Sequence, residues 1–113
     1  MYFYKEKIEF KKLSCPYKEY NFNLVKDYYF DIKNNGMKDH LLINKKYMIQ
    51  IGGMRYFILK LLNTKNYTKI PCIVYSNEKI NNKNEINLEL VCKLTNKTKE
   101  QIIRSILWNQ FIF

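Results

Sequence analysis

Residues 88–107, LELVCKLTNKTKEQIIRSIL, decide how this chain is read. Leu88, Val91, Cys92 and Thr95 recur at steps of three and four, the spacing of one helical face. Asn96 follows, and asparagine is the commonest residue besides glycine in the left-handed conformation that stops a helix. Thr98 then offers a side-chain oxygen to a new helix, and Gln101 stands three residues later. That pattern, Thr98-Lys99-Glu100-Gln101, is a capping box. A second helix is therefore predicted from residue 99 to about residue 109, with Ile102, Ile103, Ile106 and Leu107 as its apolar positions. Two short helices joined by a brief turn make a helix-turn-helix candidate.

Upstream, the hydrophobic period changes twice. Gly52-Gly53 breaks a strand-like run at residues 47–51. Over residues 54–62, Met54, Phe57, Ile58, Leu61 and Leu62 share one helical face, with Arg55 and Lys60 off it. The polar residues 63–66 end that helix. Residues 70–75 read as a short apolar strand, which Pro71 places near a sheet edge or at the strand's start. Residues 76–85 read as a solvated loop. The first half reads as strands. Tyr2, Tyr4, Ile8 and Phe10 alternate in part over residues 2–13. Tyr20, Phe22 and Leu24 alternate with polar neighbours, and residues 28–32 continue in a β-favouring aromatic style. A helix over residues 23–29 is the alternative there. Asn34-Asn35-Gly36 predicts a turn, because these residues tolerate positive φ. The expected architecture is α+β: N-terminal antiparallel strands, then helix, strand, helix, turn, helix. One domain of 113 residues is expected, with residues 1–53 mainly strands and residues 54–113 forming the helix-turn-helix portion.

The stretch quoted above resembles the helix-turn-helix of DNA-binding proteins at several fixed positions. Cys92 takes the place where that family has a small residue because the helices touch. Asn96 takes the usual glycine position in the turn, Thr98 caps the recognition helix, and Ile102 and Ile106 fall at its buried positions. Lys97 departs from the pattern, standing where the family has a buried aliphatic residue. Its stem is expected to cover the core while its amine reaches solvent or phosphate. With the upstream helix and strand, the order resembles a winged helix of the kind found in replication and transfer proteins of plasmids and phages. Accessory proteins that bind the transfer origin of clostridial conjugative plasmids are one such type. The sequence leaves no room for the usual C-terminal wing: residues 108–113 supply at most one strand. A hairpin among the N-terminal strands is expected to take that role.

Composition bounds the function classes. Twenty Lys and Arg face ten Asp and Glu, a formal net charge of +10, which concentrates polyanions around the protein. Nucleic acid is the first such partner and an acidic membrane the second. Nearly all the basic residues are Lys in a chain also rich in Asn, Ile and Tyr, so part of the charge reflects an AT-rich coding bias. Cys15, Cys72 and Cys92 are odd in number and too far apart for a C-x-x-C pair. They are expected to be reduced thiols, with no zinc site and no disulfide framework. The N-terminus is charged too early for a signal peptide, and no run of 18 apolar residues exists. A cytoplasmic location without membrane association is expected.

The resemblance implies that the helix over residues 99–109 enters the major groove of double-stranded DNA with its N-terminal end nearest the bases. Lys99, Gln101 and Arg104 would reach the bases, Thr98 would cap the helix, and Lys93 and Lys97 would hold phosphates. A regulatory, replication or conjugation accessory of a mobile element follows, with a homodimer on paired half-sites as one arrangement. Two other classes fit the same composition. One is a small phage-encoded inhibitor of a host nuclease or defence complex, whose partner is a protein. The other is an RNA-binding component of a ribonucleoprotein, stacking bases on the aromatics of residues 2–12 and 17–30. No catalytic role is expected. His40 has no local Cys partner, Asp27, Asp31 and Asp39 form no metal-binding pattern, and Ser14, Ser76 and Ser105 lack an elbow motif. Gly52-Gly53 precedes a helix but lacks the Gly-Lys-Ser/Thr ending of a phosphate loop. No cofactor is expected.

Overall fold

Burial sorts the strands first. Ile70, Cys72, Ile73, Val74, Tyr75 and Ser76 are all buried, so both faces of their strand are covered and it sits inside a sheet. In the computed structural model, which describes residues 1–16, 20–79, 81 and 83–112 but not the side chains of 110–112, this segment is β4 (Lys69–Ser76). Its neighbours are β1 (Tyr2–Glu9), antiparallel to it, and β2 (Leu41–Ile43), parallel to it. β3 (Ile49–Ile51) returns antiparallel to β2, and β5 (Glu85–Ile86) pairs antiparallel with β1. The five-stranded mixed sheet runs β3-β2-β4-β1-β5. Pro71 precedes Cys72, the first β4 residue with a β2 partner. It therefore stands near the strand's start, as its missing N–H requires, although the strand is central.

Helices cover the two faces of the sheet. α2 (Gly53–Leu61) packs Leu59 and Tyr56 over Ile8, Ile43, Ile49, Ile70, Cys72 and Val74. α1 (Phe22–Asn35) lies on α2 through Val25, Ile32 and Ile58. The opposite face holds Phe3, Leu42, Ile51, Ile73 and Tyr75 against Val91 of α3 (Leu88–Thr95) and Ile102 and Ile106 of α4 (Lys99–Ile112). The α+β architecture read from the sequence is therefore present, with its helix, strand, helix, turn, helix order in the second half.

Several local expectations are corrected. Residues 22–35 form a helix, so the helical alternative for residues 23–29 is the one present and the strands are not. Val25 and Ile32 are buried and Tyr29 half-buried, a four-then-three spacing that only a helix puts on one side. Phe22, Tyr28 and Phe30 are exposed, so their β-favouring character decided nothing. The helix starts where the Asn21 side chain accepts a hydrogen bond from the Asn23 N–H at 2.9 Å. It ends at Gly36, whose N–H still bonds the Ile32 carbonyl and whose φ of 80° then turns the chain out of the helix. The Asn34-Asn35-Gly36 chain reversal is thus a helix stop rather than a hairpin turn. At the C-terminus α4 continues to Ile112, where a tail strand was expected, while Phe113 lies outside the described residues. A hairpin of the N-terminal half, β2–β3, carries exposed Lys45 and Lys46 at its tip. It does not sit beside the start of α4. Gln101 lies near Ile51 and Gly52, and Ser105 donates to the Gln50 carbonyl at 2.7 Å. α4 therefore runs toward the hairpin tip, which faces its C-terminal half.

Gly52 is the joint between β3 and α2. Its φ is 109°, and a Cβ there would collide with Leu41 Cδ2, a side chain with no exposed surface. Neither the backbone conformation nor the packing leaves room for alanine. Gly52→Ala should cost about 2–4 kcal/mol, combining a left-handed backbone with core overpacking. Urea unfolding followed by circular dichroism measures this. A loss under about 0.5 kcal/mol, the range of an ordinary surface substitution, would refute it.

Candidate nucleic-acid interface

The α3–turn–α4 unit is built by its caps. Asn87 accepts from the Leu90 N–H at 2.9 Å and starts α3. Asn96 ends it in the left-handed conformation, φ 56° and ψ 44°, as the turn requires. Lys97 donates its N–H to the Cys92 carbonyl at 3.1 Å. Thr98 Oγ1 then accepts from the Gln101 N–H at 3.1 Å, and Gln101 Oε1 accepts from the Thr98 N–H at 2.9 Å. This reciprocal pair satisfies two orphan donors at the start of α4. It also engages the Gln101 carbonyl oxygen, so the amide Nε2 is the atom left for a ligand.

The six residues singled out from the sequence do not share one surface. Lys93 is exposed at the end of α3, in a shallow groove with Glu85, Asn87 and Glu89. Lys99 is exposed in the first turn of α4. Arg104 lies further along, exposed in an outer groove with Glu100, Ile103, Leu107 and Trp108. Half-buried Lys97 and exposed Gln101 meet instead in a cavity of about 350 Å³ beside Gly52, Gly53 and Arg55, which Tyr20, Tyr28 and Asp39 also line. Lys97 is therefore part covered by protein and part facing a cavity.

Arg55 escaped the sequence reading, which placed it simply off the apolar face of its helix. Its guanidinium donates from Nη1 to the His40 carbonyl at 3.2 Å and from Nη2 to the Thr95 carbonyl at 3.3 Å, and it pairs with Asp39 Oδ2 at 3.5 Å. Burial pulls its pKa down, and Asp39 opposes that shift; arginine stays charged regardless. One side chain thereby joins the start of α2, the entry to β2 and the end of α3. A signal was present in the sequence. In a chain whose basic residues are almost all Lys, an Arg directly after Gly52-Gly53-Met54 marks a demand for a planar, forked donor. His40 stands beside it, donating its N–H to the Leu94 carbonyl at 2.8 Å. Its ring pKa is lowered by burial first and by Lys5 second, with Asp39 opposing. Cys72, buried in the sheet, has its thiol pushed up to about 12 by burial and by Glu6. Among the described residues no three His, Cys, Asp or Glu side chains group as a metal site. No helix there is long and apolar enough to cross a membrane.

No protein-family description matches the chain, and no curated protein sequence matches it. Among solved structures, a Pnob8-like ParB-N domain matches with a TM-score of 0.53 at 18% identity. The match covers 67% of this chain and 31% of that one. This chain therefore shares a fold with a part, about a third, of that protein.

Two predictions follow from the caps and the arginine. Thr98→Ala should cost about 1 kcal/mol by removing one helix cap. Arg55→Met should cost more, about 2–4 kcal/mol, because it strands two carbonyls and a carboxylate. Denaturant midpoints of the two variants rank them, and an equal loss would contradict the assignment of Arg55. The lowered His40 pKa sets a pH dependence. The unfolded chain binds the His40 proton more tightly, so this contribution is present above the ordinary histidine pKa and is lost on acidification below it. Stability should fall from neutral pH toward mildly acid pH, and the His40→Asn variant should show a shallower fall over the same window.

Proposed function

We propose that this protein is a non-catalytic, double-stranded DNA-binding accessory of a mobile genetic element. The observation that carries this reading is the α3–turn–α4 unit, whose capped α4 start presents an exposed Lys99, with Lys93 and Lys97 on flanking surfaces. In this reading Lys93 and Lys97 hold backbone phosphates, while Lys99, Arg104 and the Nε2 of Gln101 reach base edges. The net charge of +10 supplies long-range attraction. The structural neighbour is a Pnob8-like ParB-N domain, and the fold shared with part of it is compatible with this reading. Lys45 and Lys46, at the hairpin tip toward the far end of α4, are available for a second phosphate contact. Two copies on paired half-sites would extend the contact.

A second reading rests on a specific feature, the cavity beside Gly52. The start of a nine-residue helix favours negative charge. Lys97 and Gln101 face that end, and Tyr20 and Tyr28 line the same cavity with flat rings. Its volume, about 350 Å³, falls within the range of small-molecule sites. The set fits a nucleotide, its phosphates toward Gly53 and Lys97 and its base toward the tyrosines.

Affinity for duplex DNA across a salt series tests the first reading. Binding should weaken steeply with salt, and the Lys99→Ala, Arg104→Ala double variant should lose roughly tenfold or more in affinity while keeping its unfolding midpoint. Absence of duplex binding at low salt sinks it. Nucleoside triphosphate binding that is lost in Lys97→Ala, without duplex binding, would establish the second reading in its place.

A further inference from the structure

A second basic surface lies away from α4, on the sheet itself. The register of β1 sorts its charges by face. Residues directly opposite each other in an antiparallel pair project to the same side. Lys5 is opposite Ile73 and Lys7 is opposite Pro71, on the face that carries Phe3, Ile73 and Tyr75 beneath α3 and α4. Glu6 is opposite Cys72 and Glu85 is opposite Tyr4, on the face of Ile8, Ile70 and Val74. Alternation therefore puts both lysines on one side of the sheet and both carboxylates on the other.

α3 and α4 leave the Lys5–Lys7 end of this face uncovered. Both lysines are exposed, although Ile73 beside them is fully buried. A cavity of about 660 Å³ opens there, lined by Lys5, Lys7, His40, Pro71 and Ile86, with Lys83 and Asn84 at its edge and Glu6, Cys72 and Glu85 contributing from the strands. Asn84 is tied down, since its carbonyl accepts from the Lys5 N–H at 3.0 Å, and this keeps Lys83 at the rim. The His40 ring closes one wall. Its Nδ1 is buried and has no hydrogen-bond partner among the described residues. A buried polar atom without a partner is costly.

We propose that this cavity is a phosphate site in which Lys5, Lys7 and Lys83 neutralise the anion, with His40 in its wall. It is separate from α4 and from the cavity beside Gly52, and it stands whether or not either of those surfaces binds its ligand. The phosphate is either that of a DNA backbone or that of a free phosphorylated molecule. In both cases the chemistry is a tetrahedral dianion or monoanion among three ammonium groups.

His40 is the one histidine of the chain, so its ring resonances in a nitrogen-edited NMR spectrum report this site alone. The full chain is titrated with inorganic phosphate, and separately with a short DNA duplex, at neutral pH and matched ionic strength. Saturable movement of the His40 signals by phosphate is expected, with the Lys5→Ala, Lys7→Ala double variant weakened by roughly tenfold or more. If the duplex moves the same signals and phosphate competes with it, the DNA backbone is the source. If phosphate alone moves them, the ligand is a free phosphorylated molecule. Lys99→Ala, Arg104→Ala should leave the phosphate response intact, which separates this site from the α4 reading. Unmoved His40 signals with both ligands, or an identical response in the Lys5, Lys7 variant, overturn the proposal.

Discussion

Arg55 ties together three parts of the chain at one point, alongside the His40 N–H bond to the Leu94 carbonyl. From the first turn of α2 it reaches two carbonyls, 15 and 40 residues away in sequence, and a carboxylate between them. Each carbonyl has a structural role. That of His40 stands at the entry to β2, and that of Thr95 lies in the last turn of α3, where carbonyls have no helical partner. A lysine could not serve both, because one ammonium has no fixed fork. Gly52 makes this reach available. Its positive φ turns the chain out of β3, and its missing side chain lets α2 begin against Leu41. The Gly52–Arg55 corner thus sets where α2, the sheet and the α3–α4 unit stand relative to one another.

What was legible in the sequence was what is settled locally. α3, the turn and α4 depend on hydrogen bonds spanning three to five residues, and Asn96, Thr98 and Gln101 announce them. β4 was legible because a short apolar run with a proline near its start has few other uses. α1 was misread because composition was weighed above period. Its Tyr and Phe residues favour strands, yet the residues that pack, Val25, Tyr29 and Ile32, are spaced for a helix. The sheet was not legible. β1 pairs with β4 across more than sixty residues of chain, and no local pattern encodes a partner so distant. That pairing also decides the fold. It turns a segment that reads as the strand of a winged helix into the centre of a five-stranded sheet.

The same long-range pairing divides the candidate site residues. Lys93, Lys97, Thr98, Lys99, Gln101 and Arg104 look contiguous on a helical projection, but the sheet and α2 occupy one flank of the hairpin. Lys97 and Gln101 are drawn to that flank, beside Gly52, while Arg104 is left outside with Ile103, Leu107 and Trp108. A side chain's neighbours across the sheet cannot be read from its neighbours along the chain. Arg55 and His40 belong to this class, since each matters through contacts that only the fold supplies.

The outer face of α4 argues for where along its length a nucleic acid would be met. Leu107 is half exposed and Trp108 more than half, at 61%, and Ile103 lies beside them. A helix buried along its length in a major groove meets base edges and phosphates, which reward polar side chains. An apolar C-terminal half is poorly matched to that, whereas such a patch is a common feature of protein contacts. The start of α4 is the better match, since exposed Lys99 and the helix N-terminus favour an anion there together. Contact by the first turn alone is small, and it leaves most of the net charge of +10 elsewhere on the molecule. Strand alternation at Lys5 and Lys7 shows how some of that remainder is concentrated: not by clustering in sequence, where lysine and glutamate alternate, but by the two-residue period of β1, which sends Lys5 and Lys7 to one face and Glu6 between them to the other.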